Sequence, residues 1–169
     1  MERLSAEAVV ELLQLEPLPA EGGFFRRTWQ SAYRQQMDLA GPYRGATRSF
    51  GTAIYYLITQ RDFSAMHQVS SDELWHFYAG DPLEQLLLFD DGKGEIVKLG
   101  NQLEQGYVPQ RVVPAGVWQG TALAPSGEWA LVGCTVCPGF EYADYTHGNE
   151  DSLVQAYPQY AKMITRLCR

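Results

Sequence analysis

An all-β barrel or sandwich with a short helix at each end is the fold the chain predicts, on three observations. From Ser49 onward, short stretches rich in β-branched and aromatic residues alternate with turn signals, the pattern of many short strands. Asp91-Gly92 sits between two such stretches, where Asp-Gly favours a tight hairpin. Apolar residues at helical spacing occur only near the two ends.

Taken in chain order, Ser5 can cap a first helix in which Val9, Leu12 and Leu13 recur at helical spacing, and Pro17 and Pro19 end it. EGGFFRRTWQ reads as a strand entered through Gly22 and Gly23, followed by a polar loop holding Gly41-Pro42 and Gly45. SFGTAIYYLI, AMHQV, ELWHFYA, LEQLLLF, EIVKLG, QRVV, WQGTAL and WALVGCTV read as the successive strands. Between them lie Ser70-Ser71-Asp72, Gly80-Asp81-Pro82, Asp90-Asp91-Gly92, Pro114-Ala115-Gly116 and Pro125-Ser126-Gly127. Pro158 suits a first helical turn, and Tyr160, Met163, Ile164 and Leu167 form an apolar stripe suited to core or dimer packing. One domain over residues 1–169 is expected, with the barrel near 21–145 and the last helix near 152–168.

Composition narrows the function. With 46% hydrophobic and 20% charged residues, the chain is globular. A net charge of -7 argues against nucleic acid or an anionic membrane surface as partner. The N-terminus lacks the uninterrupted apolar core of an export signal, so a cytoplasmic location is expected. Three cysteines then read as reduced thiols. Cys134 and Cys137 lie on one expected strand, point to opposite faces, and read as small buried hydrophobes.

The chemistry concentrates in HQVSSDELWHFYAG, His67 to Gly80. A three-residue hairpin loop at Ser70-Ser71-Asp72 would set Val69 opposite Glu73 and His67 opposite Trp75. Alternation then puts His67, Val69, Glu73, Trp75 and Phe77 on one face, with Leu74, His76 and Tyr78 on the other. His67 and Glu73 become diagonal neighbours, roughly 7–8 Å apart at Cβ. An imidazole, a carboxylate and an indole on one face suit a ligand pocket, although a histidine and a glutamate beside a turn also occur as a weak surface pair. His76 reads as a packed or interface histidine. A second stretch, QRVVPAGVWQG, places Gln119 three residues past the glycine of a tight turn.

These two stretches resemble the paired motifs of the cupin superfamily, G-x5-H-x-H-x3,4-E-x6-G and G-x5-P-x-G-x2-H-x3-N. His67, Glu73 and Gly80 match the first motif, and Pro114 and Gly116 match the second, with Gln119 where its histidine would stand. Arg61, Val69, Val108 and Leu123 depart from the pattern at the opening glycine, the second histidine, the second opening glycine and the asparagine. EGGFFRRTWQS, TAIYYLI, SSDELWHFYAGDPL, VVPAGVWQG and LVGCTVCPGF are similar to the blocks of one small cupin-like family, over Glu21 to Phe140. The resemblance implies a double-stranded β-helix, a jelly-roll barrel with an internal pocket, and a homodimer. It supplies no reaction, because jelly rolls include metal-free sugar-nucleotide epimerases, metal-dependent enzymes and binding proteins.

A divalent transition metal wants three or more protein ligands, led by imidazole and carboxylate. Here Val69 offers no donor and the Gln119 amide is a poor one, so no metal cofactor is expected, beyond a weak divalent ion at His67, Glu73 and Gln119. The expected site is therefore His67 and Glu73 as acid–base pair, with Trp75, Phe77 and Gln119 contacting a small ligand. That describes a metal-independent isomerase, epimerase or lyase on a small polar or sugar-like molecule. A metal-dependent enzyme using His67, Glu73 and Gln119, and a non-catalytic binding protein, are the alternatives.

Overall fold

The computed structural model describes residues 3–37 and 43–169; Gly41-Pro42 of the expected polar loop lies outside the described residues. Helix α1 (Ala6–Leu13) starts where the Ser5 hydroxyl accepts the amide of Ala8. It ends at Gln14, which turns left-handed at φ 53 before either proline is reached. Val9 is buried, but Leu12 is 67% exposed, so the inward stripe runs through Val9, Val10 and Leu13 instead.

The strands follow as β1 (Glu16–Pro17), β2 (Phe24–Gln30), β3 (Arg34–Gln36), β4 (Thr47–Ser49) and β5 (Thr52–Thr59). Next come β6 (Ser64–Val69), β7 (Asp72–Gly80), β8 (Leu83–Leu88) and β9 (Gly94–Leu99). The last are β10 (Gln110–Val113), β11 (Trp118–Leu123), β12 (Trp129–Cys137) and β13 (Tyr145–His147). Each stretch read as a strand from TAIYYLI to WALVGCTV is one, and β8 and β9 pair antiparallel across Asp91-Gly92, with Gly92 at φ 81.

Two sheets face each other. One is six-stranded, in the order β1-β2-β5-β12-β7-β10, and the other five-stranded, in the order β13-β6-β11-β8-β9. This is the expected jelly-roll barrel. Its closed end is filled by Tyr56, Trp75, Phe77, Leu87 and Val132, among others. Helix α1 covers the outside of the six-stranded sheet near Leu57 and Trp129. Helices α2 (Glu150–Ala156) and α3 (Ala161–Leu167) cover the outside of the other, where Leu153, Ile164 and Leu167 meet Met66, Leu86 and Leu88. The expected single C-terminal helix is split at Tyr157-Pro158, because proline brings no amide hydrogen and disfavours helix in the residue before it. The apolar stripe on α3 is thus core packing. Among the described residues, no helix is long and apolar enough to cross a membrane.

The expected β6–β7 hairpin does not form. β6 belongs to the five-stranded sheet and β7 to the six-stranded one, so the chain changes sheets at Ser70-Ser71. Val69 does not pair with Glu73, nor His67 with Trp75. Instead His67 lies opposite Gln119 on β11 and His147 on β13, and Glu73 lies opposite Val136 on β12 and Val113 on β10.

Candidate active site

Strand register builds the site in rows across the inner face of the six-stranded sheet. One row runs Arg27, Ile54, Cys134, Trp75; a second runs Phe25, Tyr56, Val132, Phe77; a third runs Thr52, Val136, Glu73. Facing them from the other sheet are His67 and Val69 on β6, with Gln119 beside His67. Between the sheets lies a cavity of about 250 Å³ that both His67 and Glu73 line. The two therefore converge on the cavity from opposite walls.

The acid–base groups are few and fixed. The Nδ1 of His67 lies 2.8 Å from the Ala65 carbonyl oxygen, which can only accept, so Nδ1 carries the hydrogen. Nε2 is left for the cavity, 3.9 Å from Glu21 Oε1. The imidazole, 3% exposed, stacks on Tyr145 with ring centres 5.3 Å apart. Glu21 arrives on the turn before β2, where Gly22 and Gly23 take φ 96 and 72. A side chain at Gly23 would also press its Cβ to 2.8 Å from the Leu57 carbonyl oxygen. The Glu21 carboxylate accepts the Ser64 hydroxyl at 2.8 Å, and Tyr56 donates to the Gly22 carbonyl at 2.8 Å.

Glu73 is held from behind. Trp75 Nε1 donates to Gln119 Oε1 at 3.0 Å, and Gln119 Nε2 donates to Glu73 Oε2 at 2.7 Å. The indole can only donate, so it fixes which way the amide points. Burial pushes the Glu73 carboxyl above its ordinary range, against the opposing pull of His67 and the Gln119 bond. Burial likewise pushes the Cys134 thiol well up, with the Glu73 charge adding to it, so Cys134 is a neutral wall of the cavity.

Of the five residues the sequence put in the site, His67 and Glu73 line the cavity. Gln119 is fully buried and spends its carbonyl on Trp75, so it supports Glu73 from behind the lining. Trp75 and Phe77 face the interior but belong to the packed core: Trp75 is 1% exposed and meets the Tyr56 ring edge-on at 5.8 Å. Glu21, Tyr56, Cys134, Tyr145 and Arg27 also line the cavity and were not picked out. Glu21 did carry a signal, a carboxylate directly before two glycines. Cys134 is buried as expected, but Cys137, at the end of β12, is exposed. His76 lies on the outer face, where Gln110 donates to its Nδ1 at 3.1 Å and Tyr78 stacks on its ring.

The donor set does not suit a transition metal. Valine stands beside His67 on the inner face, the Gln119 oxygen is turned to Trp75, and Glu73 accepts from Gln119. Among the described residues no group of three or more His, Cys, Asp and Glu is arranged to hold an ion.

Comparison with known proteins bears on the fold and the family. Residues 7–148 match the family described as "Cupin superfamily (DUF985)". An uncharacterised protein of Saccharomyces cerevisiae is 30% identical over 142 residues, covering 79% of this chain and 71% of its own. A hypothetical protein from Leishmania major superposes with a TM-score of 0.86 at 31% identity, covering 98% of this chain and 99% of that one. A protein from Shewanella oneidensis gives 0.85 at 31% identity, covering 99% of both chains.

Proposed function

The chain belongs to the cupin superfamily, in the DUF985 family, and we propose that it binds a small polar molecule in its barrel and moves a proton on it without a metal. One observation carries this reading: His67 turns Nε2 into the cavity while Nδ1 is committed to Ala65, and the Glu73 carboxyl faces it from the opposite sheet. Nε2 takes a proton from a carbon beside a carbonyl. The bonding pair moves into the carbonyl, whose oxygen is met by the Glu73 carboxyl, held towards its protonated form by burial. Return of a proton to the same carbon, with the enol proton going back to Glu73, gives an epimer. Where that carbon bears a hydroxyl, loss of the hydroxyl proton to Glu73 as a proton adds to the former carbonyl carbon gives an isomer. The apolar walls, including Phe25, Ile54 and Val136, exclude water, so the intermediate is not quenched at random. They equally suit a module that binds without reacting, which is the second reading.

The test is exchange. A panel of small aldoses, ketoses and 2-oxo acids is incubated with the protein in heavy water and a chelator, and deuterium at carbon is followed by NMR. Incorporation into at least one member, unaffected by the chelator, is expected. Exchange that the chelator abolishes supports the metal-dependent alternative; binding with no exchange supports the second reading.

We also propose a homodimer. β1 pairs only with Phe24 and Phe25, so β2 from Arg26 to Gln30 keeps an open edge among the described residues, with Trp29 half exposed on it. Light scattering should give twice the chain mass of 19.0 kDa; a monomer at micromolar concentration contradicts this.

A further inference from the structure

We infer that the ligand carries a single carboxylate on a compact apolar body, with Arg27 holding that carboxylate at the cavity mouth. This rests on reading the cavity as the proton-transfer site and adds the substrate class. Arg27 follows Phe25 by two residues on β2, so both face the cavity, with Phe25 half-buried and Arg27 exposed at the rim. Among the described residues, Arg27 is the one guanidinium or ammonium on the lining, and it makes no ion pair there. Arg3, Arg48, Arg111, Arg166 and Arg169 all pair with carboxylates.

Among the described residues, Arg27 is therefore the one fixed cation that a ligand in this cavity meets. The cavity's acid–base groups include two carboxyl groups, Glu21 and Glu73, and its apolar lining includes Phe25, Ile54, Val136 and Phe140. An anionic group is drawn to the Arg27 guanidinium. A guanidinium fork matches the two oxygens of a carboxylate. A phosphate monoester, at about -1.5 to -2 charge, carries more charge than this one cation balances, which disfavours it. The volume of about 250 Å³ lies just below the ~300 Å³ at which drug-sized pockets begin, and so fits a molecule of about one ring. Aromatic walls with carboxylates can also hold an ammonium, so an amine is included in the test.

Cyclohexanecarboxylate, its primary amide and cyclohexylmethylamine are titrated into the protein and followed by amide NMR. The acid should bind saturably and at least about tenfold tighter than the amide. Arg27→Gln should bring acid and amide level, and Arg27→Lys should keep part of the preference. Arg27 is exposed, so a thermal melt should show these variants folded. Equal affinities in the native protein, a tighter amine, a preference unchanged in Arg27→Gln, or no saturable binding of any of the three overturns the inference. Proton exchange is scored separately, so failure of the catalytic reading and failure of the carboxylate anchor are told apart.

Discussion

His67→Ala is expected to cut deuterium exchange by about 10²–10⁴-fold, the span usual for loss of a general base. The protein should stay folded. The lost bond from Nδ1 to Ala65 costs about 1 kcal/mol, and the removed ring leaves space that joins an existing cavity. Melting temperature and exchange rate are measured on the same sample. A strongly lowered melting temperature with exchange intact would mark His67 as a packing residue.

Trp75→Ala should lower stability as well as exchange. Trp75 fills the closed end of the barrel against Tyr56, and removing a buried indole costs about 3–5 kcal/mol. That is a large part of the ~5–15 kcal/mol that holds a domain folded. Trp75→Phe separates the two jobs of the side chain. It keeps most of the volume but removes the N–H that fixes Gln119, so Glu73 loses its orientation while the barrel stands. Denaturant unfolding reports the first effect and exchange the second. If Trp75→Ala is as stable as the parent and only ligand binding is lost, the indole is a ligand contact and the core described above is wrong.

Strand positions were legible because alternation and turn residues act locally. TAIYYLI or LEQLLLF can be read as strands without knowing their partners. The partners were not legible. Ser70-Ser71-Asp72 looks like a hairpin loop from within, and only the whole topology reveals that β6 and β7 lie in facing sheets. His67 and Glu73 nonetheless ended up in one cavity, because strand parity sends both inward whether they are hairpin neighbours or face each other across the barrel. Parity also sent Trp75 and Phe77 inward, but it does not say where the cavity stops and the core starts. Glu21, Cys134 and Tyr145 reach His67 or Glu73 from segments distant in sequence, which no local spacing could bring together. Glu21 is the clearest omission. The glycine pair after it, read only as a strand entrance, also lets the chain turn tightly enough to place a carboxylate near His67 Nε2.

The proposed proton transfer requires that His67 present a bare Nε2 to whatever enters the barrel. The ¹⁵N resonances of the histidine rings test it most directly, with His67 assigned by its absence in His67→Ala. In the neutral ring, Nδ1 should carry the hydrogen, and Nε2 should show the shift of a bare ring nitrogen that moves when a ligand fills the cavity. A neutral ring protonated at Nε2 could not accept a proton from a ligand in the cavity, and would rule out His67 as the base.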